Sequence, residues 1–148
     1  MLTNKGKYGL KALAHLAGLE AGTTAQSQEI AEANRIPKKF LDAILGELRL
    51  AGMVRSKKGK GGGYMLARDA GQISVGNAIR VLDGPLAPIA CASQTAYQPC
   101  LDCPDIAGCS VRLLMRKVRD KAADLLDNTS VAEMRRASPD IESLSYSI

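Results

Sequence analysis

The chain has 148 residues, enough for one ordinary domain and too few for a multidomain enzyme. Hydrophobic residues make up 46% and charged residues 24%, which is globular composition; aromatics are only 3%, which disfavours a carbohydrate site or a stacking platform for single-stranded nucleic acid. The formal net charge is +5, and its basic excess lies in residues 1–69, where 12 Lys/Arg face 6 Asp/Glu, against 8 and 9 in the remainder. Such asymmetry points to an anionic partner for the first half, most simply nucleic acid.

No run of 18 apolar residues occurs, so no membrane span is expected. The start of the chain lacks the apolar stretch of a signal peptide. A cytoplasmic location is therefore expected, where the four cysteines stay reduced unless a metal holds them.

Residues 8–19 carry Leu10, Leu13, Ala14, Leu16 and Ala17 at helical spacing. A turn at residues 21–24 follows, and residues 28–33 form a short second helix with Ile30 and Ala31 inward. Pro37 suits a first helical turn, where its missing N–H costs little. The third helix carries Phe40, Leu41, Ile44, Leu45, Leu48 and Leu50 as its apolar set and stops at Gly52. A strand at residues 53–56, a Lys- and Gly-rich turn at 57–63 and a second strand at 64–67 complete a hairpin with a basic tip. Three helices and such a hairpin predict a winged helix-turn-helix. The glycine segment is not a phosphate loop, because it lacks the Walker spacing and joins no strand to a helix.

A fourth helix spans residues 73–82, stopped by Asp83, Gly84 and Pro85. Residues 84–109 are irregular and contain every cysteine. A long helix follows, ending near Asn128, with Val111, Leu114, Met115, Val118, Ala122, Leu125 and Leu126 on one face. Ser130 and Glu133 fit a capping box for one more short helix. The segment from Ala137 is polar. The division expected is thus a winged-helix head at 1–69, a linker helix at 70–87, a cysteine loop at 88–109, a dimerisation helix with a short C-terminal helix at 110–136, and a polar tail at 137–148. The fold class is mainly α with a small β-wing.

The cysteines at 91, 100, 103 and 109 all lie within 19 residues. A loop this long usually has a task, and thiolates are soft ligands suited to zinc or iron–sulfur clusters. Cytosolic redox conditions disfavour structural disulfides. Zinc ribbons show two C-x2-C knuckles, and only Cys100 with Cys103 makes one. That pair lies outside any βαβ unit, which weakens a thioredoxin-like reading. Spacing alone leaves zinc and iron–sulfur open. No Ser–His–Asp set is evident, and the lone His15 offers little acid–base chemistry, so the chain does not read as an enzyme.

Several segments together resemble a known family: Thr3 to Tyr8 ahead of helix one; Ile30, Ala31, Ile36, Phe40 and Leu41; Leu48 to Val54; the wing from Ser56 to Ala67; Ile73 to Gly76 with Val81; and the cysteine loop closed by Cys103-x5-Cys109 before a long helix. They resemble the BadM-type iron–sulfur winged-helix repressors, which include IscR, NsrR and RirA. The resemblance covers about residues 1–134 and implies a homodimeric transcriptional repressor. It also implies that Cys91, Cys103 and Cys109 ligate a [2Fe–2S] or [4Fe–4S] cluster. For the fourth ligand, IscR-like members have a His where Arg112 stands, and NsrR-like members an acidic residue near the position of Tyr8. Cys100 is therefore the candidate for an all-cysteine set, with an open fourth site as the alternative.

By position, helix three is the recognition helix, which brings Lys38, Lys39 and Asp42 to base edges or phosphates of double-stranded DNA while Phe40, Leu41 and Ile44 hold the core. Relatives carry Glu at the Asp42 position, and a carboxylate can accept from the cytosine amino group. Lys57, Lys58 and Lys60 lie on the wing; relatives carry Arg at the Lys58 position, and Lys favours phosphate contact over minor-groove reading. Lys5 and Lys7 are expected at backbone phosphates. A single head cannot cover the long helix, so Val111, Leu114, Val118, Ala122 and Leu125 are expected to form a homodimer interface reading a roughly palindromic operator. The expected switch couples cluster ligation in the loop to the spacing of the two heads. The alternatives are a zinc-stabilised regulator, a thiol sensor using Cys100 and Cys103, and, least in keeping with the basic head, a small thiol oxidoreductase.

Overall fold

The computed structural model describes residues 2–137; the remainder of the expected polar tail, 138–148, lies outside the described residues. Six α-helices and one two-stranded sheet are found among them: α1 (Asn4–Ala17), α2 (Ser27–Asn34), α3 (Lys38–Leu50), β1 (Val54–Lys57), β2 (Gly63–Leu66), α4 (Val75–Asp83), α5 (Ser110–Asp127) and α6 (Val131–Arg136). Single 3-10 turns stand at Ala70–Gln72 and Ala90–Ala92.

The first helix begins four residues before the expected start. Thr3 caps it, its hydroxyl accepting from Gly6 N at 3.3 Å, and Asp83 at the end of α4 accepts from Thr3 N at 2.9 Å. The apolar periodicity begins only at Leu10, so the pattern understated the helix; the polar first turn is held by its cap. The fourth helix starts late for the converse reason. Ile73 is buried but extended, and Ser74 caps α4 by accepting from Asn77 N at 3.3 Å. The expected capping box at Ser130 and Glu133 is present.

Helix α1 is central and packs on α2, α3, β2, α4 and α6. Leu13, Leu16, Ile30, Leu41, Ile44, Leu45, Leu48, Ile73, Leu82 and Val131 form the main core. Gly9 permits close approach of α1 to α4, since a Cβ there would overlap Leu82. The hairpin is antiparallel, with Val54 opposite Leu66 and Lys57 opposite Gly63. Tyr64 also bridges to Ala25, donating to its carbonyl at 2.7 Å, which ties the wing to the α1–α2 loop.

Two residues assigned to the apolar side of α3 do not lie in the core. Phe40 is 64% exposed and Leu50 is 86% exposed, while Leu41, Ile44, Leu45 and Leu48 fill the interior. The buried stripe follows positions 41, 44, 45 and 48; position 40 falls beyond its edge and position 50 on the far side.

Helix α5 is amphipathic in an unusual way. One side faces its own chain: Ala123 and Leu126 pack on the cluster of Val75, Ile79 and Leu86. The adjacent side leaves Val111, Leu114, Val118 and Leu125 exposed, while Ala122 is half-buried. After α5 the chain returns to the head. Val75 N donates to Thr129 O and Val131 N to Ile73 O, each at 2.9 Å, and α6 then docks on α1.

Candidate nucleic-acid interface and cysteine centre

The basic side chains of the head lie on the outer sides of α1, α3 and the wing. Lys38 and Asp42, one turn apart on α3, pair at 2.8 Å, and Lys5 reaches Glu47 at 2.7 Å. The hydrogen bond from Lys38 holds the Asp42 carboxyl below the usual carboxylate range, so it remains an acceptor at neutral pH. Lys7 lies 5.4 Å from the centre of the Tyr8 ring. Lys39, Lys57, Lys58 and Lys60 are exposed and form no ion pair among the described residues.

The wing tip has a backbone only glycine adopts cheaply. Gly59, Gly61 and Gly63 have φ of 91°, 74° and 147°. At Gly63 a Cβ would also lie 2.6 Å from the Ala25 carbonyl oxygen. Glycine here serves the hairpin and its docking on the head, and it leaves the three lysines clustered at the tip.

The second site is the loop between α4 and α5. Cys91 is buried in the 3-10 turn, which packs against α5; Cys100, Cys103 and Cys109 are partly exposed. All four thiols are free. Cys109 caps α5, its Sγ accepting from Arg112 N at 3.5 Å. Backbone N–H groups of Arg112 and Val111 hold the Cys109 thiol below its ordinary value. Burial raises the Cys91 thiol, with the neighbouring Cys100 thiol adding to the effect; burial and the charge of Cys109 raise that of Cys103.

The donor atoms of Cys100, Asp102 and Cys103 lie within 4.8 Å of one another. Two soft thiolates and a carboxylate at this spacing, with Cys91 and Cys109 on the same loop, are compatible with a metal or iron–sulfur centre and equally with thiol sensing. Asp102 stands between Cys100 and Cys103 in the chain, and no metal-ligand motif marks it. Arg112 does not ligate; its Nε donates to the Cys91 carbonyl at 2.8 Å and its guanidinium lies 5.7 Å from the Tyr97 ring centre, so it clamps the loop to α5. His15 is half-buried, its Nδ1 3.1 Å from the Asn34 amide nitrogen.

The sequence model of Rrf2, described as an iron-dependent transcriptional regulator, matches residues 2–137. The chain belongs to the Rrf2 family. A Rhodobacter capsulatus relative, a putative HTH-type transcriptional regulator described as rrf2-like, is 41% identical over 140 residues, covering 93% of each chain. The structure of Bacillus subtilis CymR, described as the global cysteine regulator, superposes with a TM-score of 0.76 at 28% identity, over 94% of this chain and 98% of that one. IscR of T. potens superposes with a TM-score of 0.73 at 27% identity, over 95% and 89%. This Rrf2 protein is accordingly a DNA-binding transcriptional regulator with the winged-helix fold, and the resemblance to the IscR-containing repressors holds. No helix among its described residues is long and apolar enough to cross a membrane.

Proposed function

We propose that this Rrf2 protein is a homodimeric repressor whose affinity for a roughly palindromic operator is set by an iron–sulfur cluster on Cys91, Cys100, Cys103 and Cys109. The observation that carries the cluster assignment is the gathering of four free thiols on one loop, with the Cys100 and Cys103 donors within 4.8 Å of each other. It supports Cys100 as the fourth ligand. When bound, the cluster supplies an iron- and redox-sensitive crosslink of residues 88–109.

The protein's own residues convey that state. Cys109 is both a thiol of the loop and the cap of α5, and Arg112 fastens the Cys91 carbonyl to the same helix. The stripe of Val111, Leu114, Val118, Ala122 and Leu125, exposed except for the half-buried Ala122, is the dimer interface. Ordering the loop therefore acts on the first turn of the dimer helix and, through it, on the spacing of the heads at residues 1–69. Helix α4, in the linker at 70–87, joins the two parts. Lys38, Lys39 and Asp42 read or position the major groove; Lys57, Lys58 and Lys60 contact phosphates from the wing, as do Lys5 and Lys7 from α1. The protein works in the cytoplasm by binding rather than by catalysis.

The test is anaerobic purification with iron and acid-labile sulfide analysis, followed by operator binding with and without the cluster. Iron, sulfide and visible thiolate-to-iron absorption together with a changed operator affinity on cluster loss are expected. A colourless zinc protein, or DNA binding that follows Cys100–Cys103 oxidation in the absence of iron, would overturn it.

A further inference from the structure

Arg119 is the one charged side chain buried among the described residues, only 7% exposed. Its terminal nitrogen meets the carboxylate of Asp120, which is itself largely exposed, but its buried Nε has no hydrogen-bond partner. A guanidinium stays charged at any physiological pH and donates five N–H bonds. Leaving one such donor buried and unmet carries a desolvation penalty that an anion would relieve.

The side chain lines a cavity of about 40 Å³ between α4, the start of the cysteine loop and α5. Arg80, Ser93 and Thr95 line it too. Two nitrogens of Arg80 are engaged by Asp127, yet its guanidinium has further N–H groups. The buried Ser93 Oγ accepts from Ala96 N at 3.0 Å, so its own O–H is left as a donor. The lining thus sets these donors beside the apolar Pro85, Leu86, Ala87 and Ala123, and it is compact. It has room for one small ion and too little for a nucleotide.

We infer that Arg119, Arg80, Ser93 and Thr95 form a binding site for one small oxyanion, a carboxylate or an inorganic phosphate or sulfate. The planar fork of arginine matches such oxygens better than it matches a spherical halide. Ser93 stands two residues beyond Cys91, so occupancy fastens the beginning of the cysteine loop to α5. This input is separate from the cluster and does not depend on it.

The full-length, metal-free, reduced protein is titrated with phosphate, sulfate and acetate at constant ionic strength, with chloride as the balancing ion, and followed by thermal unfolding and calorimetry. At least one oxyanion is expected to raise the Tm saturably, as binding to the native state requires, and the arms identify which. Arg119→Gln should abolish the saturable rise. Because that change alters a buried position, the exposed Thr95→Val provides a second variant, expected to fold normally and bind several-fold more weakly. The inference is overturned if no oxyanion differs from chloride, or if Arg119→Gln and Thr95→Val both saturate like the parent.

Discussion

Arg80 on α4 grips Asp127 at the end of α5 through both terminal nitrogens, at 2.5 and 2.9 Å. The contact is possible because Gly76 has no side chain; a Cβ there would overlap the Asp127 carboxylate. This pair fixes the long helix against the linker helix. It is also the one point where α4 and α5 are joined by charge among the described residues.

Asp127→Asn should destabilise the protein by about 1 kcal/mol at neutral pH. That is near the top of the range for exposed pairs, because the geometry is bidentate, and it is kept small because both side chains are at least a third exposed. The hydrogen bond from Arg80 lowers the Asp127 pKa in the folded state. Its contribution is thus complete above the unfolded value of about 3.9 and fades as pH falls through the lower folded value. Denaturant unfolding across that range should show the parent and variant converging in acid.

Val118→Asp places a charge in the middle of the exposed stripe of α5. Sedimentation should show dimerisation weakened roughly 30-fold or more in affinity, as for a central interface residue. The far-ultraviolet circular dichroism should be unchanged, since Val118 is not part of the intrachain core. A dimer as tight as the parent's would place the interface elsewhere.

Gly63→Ala combines an unfavourable positive φ with a Cβ close to the Ala25 carbonyl. Thermal unfolding should report a loss of about 1–3 kcal/mol. Operator affinity should fall as well, because Tyr64 and Ala25 hold the wing in place.

Operator binding should weaken with salt. Six phosphate contacts per dimer, three of the five candidate lysines from each protomer, would give a log–log slope of roughly −5. Replacing Lys57, Lys58 and Lys60 by Ala should flatten the slope by about 1 for each phosphate contact removed, with little change in sequence preference. An unaltered slope would exclude the wing from phosphate contact.

In metal-free reduced protein, Cys109 should react first with iodoacetamide and Cys91 last. The helix N–H groups favour the Cys109 thiolate, whereas Cys91 is buried and its pKa raised. Timed alkylation near about pH 7, below the ordinary thiol value, with peptide mass spectrometry, would measure the order.

Local rules were enough for much of this protein. Glycines with positive φ mark the wing tip at 59, 61 and 63; Ser130 and Glu133 announce α6; and spacing of the apolar residues locates α2, α3 and α5. These features depend on neighbours within a few residues, so the chain itself carries them. The tertiary structure alone decided which apolar positions were buried. Phe40 lies at the rim of the core, lining a groove with Asn4, Lys5 and Tyr8 of α1 yet 64% exposed, and Val111 and Leu125 stay exposed while Leu126 packs on α4. The proximity of Asp102 to Cys100 and Cys103, the clamp of Arg112 on Cys91, the bond of Arg80 to Asp127 and the burial of Arg119 likewise have no sequence signature. They arise where helices from distant segments meet, and only the packing that brings them together sets which polar groups face each other.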